Sequence, residues 1–146
     1  MAISIIIIVF STALFVYWFR YTCVLILRTR DARDYAQHVA EVNHLTFLTA
    51  QQQLAAAQDK KESFDKLHES LDRDYRVVSY LLRHAGTQSG QSIEELMLRL
   101  DYQIMRACYY VSRPFSASSA RRFLVERASI ISHLANAMGE RVAISS

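Results

Sequence analysis

Polarity along the chain changes character twice. Residues 1–19 carry no charged side chain. From Asp31 to Ala85, and again from Ile93 to Met138, apolar and small residues return every three or four positions. An uncharged apolar run of that length predicts a membrane span, and the three-and-four spacing predicts amphipathic helices that each turn one side to a core. Three glycines and one proline are too few for the turns of a β-rich domain. The expected fold class is therefore all-α. A single N-terminal transmembrane helix is followed by a long helix and a helical hairpin, closing as an antiparallel three-helix or four-helix bundle or coiled coil.

Nineteen residues at about 1.5 Å each span roughly 28 Å, close to the hydrocarbon thickness of a bilayer. Ile3 and Ile5 to Ile8 are β-branched, but in lipid a lone segment must satisfy its own backbone hydrogen bonds, so helix is expected regardless. Tyr17, Trp18 and Tyr21 gather at one end, where amphipathic rings prefer the headgroup level. A cleaved signal peptide is not expected: the run has no basic start, and Tyr-Trp-Phe-Arg-Tyr offers no small-x-small cleavage site. Arg20, Arg28 and Arg30 all follow the span. Positive charge is retained on the cytoplasmic side, which predicts a single-pass protein of the inner cell membrane with its N-terminus outside. Trp18, Arg20, Tyr21, Arg28 and Arg30 would form the lipid-contacting flank. The expected division is an anchor with its interfacial continuation over 1–27, a basic juxtamembrane segment over 28–34, a cytoplasmic helical domain over 35–140, and a loose tail over 141–146.

Between Asp31 and Ala85 there is neither glycine nor proline. Ala36, Ala40, Phe47, Ala50, Leu54, Ala57, Phe64, Leu71, Tyr75, Val78, Leu82 and Ala85 mark a heptad seam interrupted by Asn43, Lys61 and His68. One continuous helix is expected. Asp59 and Glu62 stand at capping-box spacing, and a break at Asp59–Ser63 would convert the domain to four helices. Gly86 to Gly90 ends this stretch. Ser92 and Glu95 form a second capping box before Ile93, Leu96, Met97, Leu100, Ile104, Ala107 and Val111, and Pro114 ends that helix. The last helix should run from about Ser118 to Met138, with Leu124, Ile130, Ile131 and Leu134 on its apolar face and Gly139 as its stop. The long seam would remain partly exposed, which predicts self-association.

The net charge is +3, and its distribution matters more than its size. Residues 31–98 are net acidic and residues 99–127 net basic, so the two parts are expected to pack on one another. Nucleic acid is not an expected partner of so small a basic excess. Arg121 and Arg122 open the last helix at the end where the macrodipole favours acids. With Arg127 they are candidate contacts for a partner or for lipid.

Glu41 and His44, and again Asp65 and His68, have the i,i+3 spacing that di-iron carboxylate bundles use for metal ligands. Along one helix the pairs are 24 residues apart, about 36 Å, so they can meet only if the chain turns between them. They stand as weak metal candidates, and no cofactor is expected. The two cysteines, Cys23 and Cys108, lack metal-ligand spacing. No nucleophile–base pair or glycine-rich phosphate loop is present, so an enzyme is not expected. The function this predicts is a membrane-anchored cytoplasmic scaffold or adaptor, working through protein–protein contact and as a homo-oligomer. The alternative is a small accessory or sensor subunit of a membrane complex whose bundle binds a ligand or metal.

Overall fold

The computed structural model describes residues 1–28, 35–56, 61–85 and 92–145. Among them there is no strand, and the regular structure is six helices: α1 (Ala2–Arg28), α2 (Tyr35–Val42), α3 (Phe47–Ala56), α4 (Lys61–Ala85), α5 (Ile93–Ser112) and α6 (Ala117–Ser145). It divides into two compact units, residues 1–30 and 31–146.

The first unit is α1. Its 27 residues carry a mean hydropathy high enough for a membrane span, and Ile3, Ile5 to Ile8, Phe10, Phe15 and Trp18 are all exposed. The hydroxyls it does contain turn back onto their own helix. Thr12 Oγ1 donates to the Ile8 carbonyl at 2.8 Å and Thr22 Oγ1 to that of Trp18 at 2.9 Å. Such back-bonding satisfies the donor within its own helix.

In the second unit α6 packs against each of α2, α3, α4 and α5. It can do so because its inward positions mix branched residues with small ones. Leu124, Ile130, Ile131 and Leu134 are buried beside Ala120, Ala128 and Ala135, and small residues let neighbouring backbones approach. Chain direction follows from the side-chain contacts. Tyr35 meets Asn136 and Leu54 meets Arg121, so the path from α2 to α3 passes along α6 in the opposite sense. Glu95 meets Arg141 while Tyr102 meets Arg127, so α5 is antiparallel as well. Asp65 meets Arg113 and Asp72 bonds Tyr102, which makes α4 antiparallel to α5. The domain is a four-helix bundle in which α2 and α3 share the first position.

The expected single helix from residue 31 to 85 is therefore corrected. Its break within the described residues lies at Asn43–Thr46. His44 adopts φ 52°, the left-handed region. Leu45 N–H donates to the Ala40 carbonyl at 2.9 Å and His44 N–H to Glu41 at 3.4 Å. This is a Schellman stop built without glycine. Thr46 then caps α3, and Asp74 holds the junction: its Oδ2 accepts the Thr46 N–H at 2.6 Å and the Thr46 hydroxyl at 3.0 Å. On a straight helix those two residues would be about 42 Å apart, so the chain also reverses between α3 and α4. Of the expected break at Asp59–Ser63, residues 59 and 60 lie outside the described residues and 61–63 open α4; the glycine-flanked stretch 86–90 also lies outside them.

Two further expectations change. Gly139 does not end the last helix; α6 continues through the supposed tail to Ser145. A Cβ at Gly139 would collide with Tyr35 Cβ and lie 3.0 Å from Tyr35 Cγ and 3.3 Å from Val39 Cγ2, so the glycine is where α2 presses onto α6. Ser92 does cap α5, but its side chain makes no capping bond. Glu95 instead turns inward to Arg141. α5 ends at Ser112, before Pro114 as expected, although Arg113 keeps helical angles (φ −50°, ψ −46°) and its N–H still donates to the Tyr109 carbonyl.

Candidate functional site

Where α4, α5 and α6 face one another, the bundle contains a polar cluster in place of hydrocarbon. At its centre is Arg127, fully buried. Nη2 donates to Asp72 Oδ1 and to the Tyr102 hydroxyl at 2.7 Å, Nη1 donates to His68 Nδ1 at 2.5 Å, and the guanidinium carbon lies 4.7 Å from the Tyr102 ring centroid. Tyr102 completes the ring of contacts. Its hydroxyl reaches the Leu71 carbonyl at 3.1 Å and Asp72 Oδ1 at 3.0 Å, and its face stacks on Tyr75 at 3.8 Å. Asp72 also meets Arg106, 3.3 Å away.

His68 links this cluster to the surface. Because Nδ1 accepts from Arg127, the ring proton sits on Nε2 and is donated to Tyr110 Oη at 2.8 Å. The ring stacks on Tyr109 at 4.6 Å and meets Tyr110 edge-on at 4.9 Å. Burial lowers its pKa from 6.5, and the Arg127 guanidinium lowers it further, outweighing Asp72 and Asp65. The imidazole is thus held neutral as an acceptor for arginine. Burial likewise raises the pKa of Tyr102 and of Tyr109, which keeps both phenols as neutral donors. At the outer end Arg113 Nη2 binds Asp65 Oδ2 at 2.5 Å and Tyr109 reaches Asp65 Oδ1 at 3.4 Å.

The positions singled out from the sequence separate on this geometry. Arg127, expected as a surface contact, is corrected to the centre of the core. Arg121 is half-buried, and its Nε and Nη2 donate to the Leu54 carbonyl at 3.0 and 2.5 Å. Placed against the macrodipole of its own helix, it meets the last turn of α3, where a cation is favourable. Arg122 is exposed. Of the metal candidates, Asp65 is bonded to Arg113 and His68 to Arg127 and Tyr110. Glu41 accepts from Gln37 at 3.1 Å, and His44 serves the helix stop. Among the described residues no group of three or more His, Cys, Asp or Glu side chains converges as a metal site. Trp18, Arg20, Tyr21 and Arg28 lie on α1, while Arg30 lies outside the described residues. Neither Cys23 nor Cys108 is joined in a disulfide.

Asp72 and Arg106 were not singled out by sequence reasoning; Tyr102, with Tyr109 and Tyr110, is readable there only as an aromatic cluster suited to core packing. The polar cluster can hold register and orient a neutral imidazole. It pairs acids of the 31–98 segment with bases of the 99–127 segment through Asp65–Arg113, Asp72–Arg106 and Asp72–Arg127. Comparisons with protein-family models, with curated proteins and with solved structures found no match for this chain.

Proposed function

We propose that the chain is a membrane-anchored helical scaffold: α1 crosses the inner membrane with its N-terminus outside, and the bundle works in the cytoplasm through protein–protein contact. The observation that carries this reading is α1 itself, 27 residues long, apolar and exposed. At about 1.5 Å per residue it reaches roughly 40 Å, enough for the hydrocarbon and one interface. Arg20 and Arg28 follow its apolar part, which supports the orientation. The bundle's polar centre supports a structural role for that centre, because Arg127 directs Nη1 and Nη2 to partners within the chain.

Expression of the full chain with a C-terminal tag tests both halves. The tag is expected to stay with membranes through alkaline carbonate washing. Protease should remove it in inside-out vesicles and spare it in intact spheroplasts. Release by carbonate defeats the anchor, and digestion in spheroplasts defeats the orientation.

A further inference from the structure

The bundle leaves one long apolar face uncovered. On α5, Ile93, Leu96, Leu100, Ile104 and Val111 are exposed, as is Ala107. At 100° per residue these six positions fall within an arc of about 80° and extend roughly 27 Å along the helix. The opposite side, carrying Leu98, Tyr102, Met105 and Tyr109, is the one buried in the bundle. A helix apolar on two opposed sides normally has a neighbour on each. Phe115, 85% exposed, stands in the turn just beyond the stripe. Together these residues present roughly 700 Å² of apolar surface, above what a monomer usually shows and near the about 800 Å² each partner gives a stable interface.

We propose that this face is where two copies of the chain meet, α5 against α5, antiparallel about a two-fold axis. The sequence of the stripe fits itself in that arrangement. With the axis between Gln103 and Ile104, Leu100 of each copy faces Ala107 of the other, large against small. Leu96 faces Val111. Glu94, exposed at the N-terminal end, comes beside Arg113, which is half-exposed and keeps donors free beyond its bond to Asp65. Two-fold contacts require this kind of self-complementarity, with one patch supplying both sides. The proposal deepens the scaffold reading by naming its contact surface and its partner, and it rests on that reading only for placing both copies in one membrane.

The test uses the full chain in mild detergent, with protein mass measured by light scattering. A dimer is expected, and Ile104→Asp should weaken it about a hundredfold by placing a charge in the contact. Circular dichroism of Ile104→Asp and of Leu100→Asp checks that folding is kept. Disulfide trapping provides a gain of signal. In a Cys23→Ser, Cys108→Ser background, Leu100→Cys with Ala107→Cys should give covalent dimer under mild oxidation. Residues seven apart on one helix are too distant to bridge within a chain. The same spacing on α4, Arg76→Cys with Arg83→Cys, should stay monomeric. A monomeric wild type at 100 µM overturns the proposal. So does a dimer indifferent to Ile104→Asp, which would place association on α1, or equal trapping on α4. A monomer whose α5 variants instead detach the bundle from anionic vesicles gives the face to lipid. Flotation of the same chains reports anchoring separately, so loss of the anchor and loss of the dimer are distinguishable.

Discussion

Arg127 shows how one side chain organises a core. Removing a single partner from a buried ion pair leaves an uncompensated charge, whereas replacing both partners by hydrocarbon of similar volume is often nearly neutral. Asp72→Ala is therefore expected to cost about 3–5 kcal/mol in urea unfolding, tempered by the nearby Arg106 guanidinium, and the double exchange Asp72→Leu with Arg127→Met markedly less than the two single losses added together. Equal losses would show that the cluster is not held by charge pairing. His68 adds a pH dependence. Its folded pKa lies below 6.5 because of burial first and Arg127 second. Above pH 6.5 neither folded nor unfolded chain binds this proton. As pH falls through 6.5 the unfolded chain takes it up while the folded chain resists, so stability declines until the lowered folded value is reached and then levels off. Urea midpoints between pH 7.5 and 5 should fall accordingly, with a shallower slope in His68→Gln. The position of Arg127 was legible in principle: on a helical projection it lies inside the arc marked by Leu124, Ile131 and Leu134. Its acceptors were not, since they come from α4 and α5, 25 to 59 residues away in sequence.

The helix stops carry the next level of information. His44 occupies the left-handed region, where a Cβ is penalised and glycine is not. His44→Gly is expected to stabilise the domain by about 0.5–1 kcal/mol, and His44→Val to destabilise it. A destabilising glycine would mean the histidine ring contributes more than its backbone costs. Gly139 runs the other way. Alanine is the better helix former by about 1 kcal/mol, yet Gly139→Ala must displace Tyr35 at its Cβ, next to the α2 backbone. A net loss of about 1–3 kcal/mol is expected, read from the same unfolding curves. Both residues were misread for one reason. Local preference calls glycine a stop and gives histidine no such role, whereas tertiary contact asked for a close approach at one site and a corner at the other. The corner is secured by Asp74, 28 positions from the Thr46 it caps, and no local pattern reports a capping residue so distant.

For the molecule as a whole, the energetic division is between a helix that suits oil and a bundle that suits water. Placing charge at the middle of α1 costs about 2.5–3.5 kcal/mol per residue on insertion scales. Ile8→Arg with Val9→Arg should accordingly move much of the chain into the carbonate-soluble fraction, while the bundle keeps its unfolding midpoint. Unchanged membrane retention would shift the anchor elsewhere. The apolar opening, the all-helical class, the seam positions and the stop at Pro114 follow from sequence alone, because each depends on neighbours within a turn or two. Ala36, Phe47, Leu54, Leu71, Val78 and Leu82 are buried as the spacing required. What covers them was not contained in that spacing. These six are buried within the one chain, largely against α6, and an uncovered apolar face lies on α5. A repeat of three and four residues states that a side must be buried; only the tertiary structure, which sets residue 39 against 139 and residue 72 against 127, decided by what.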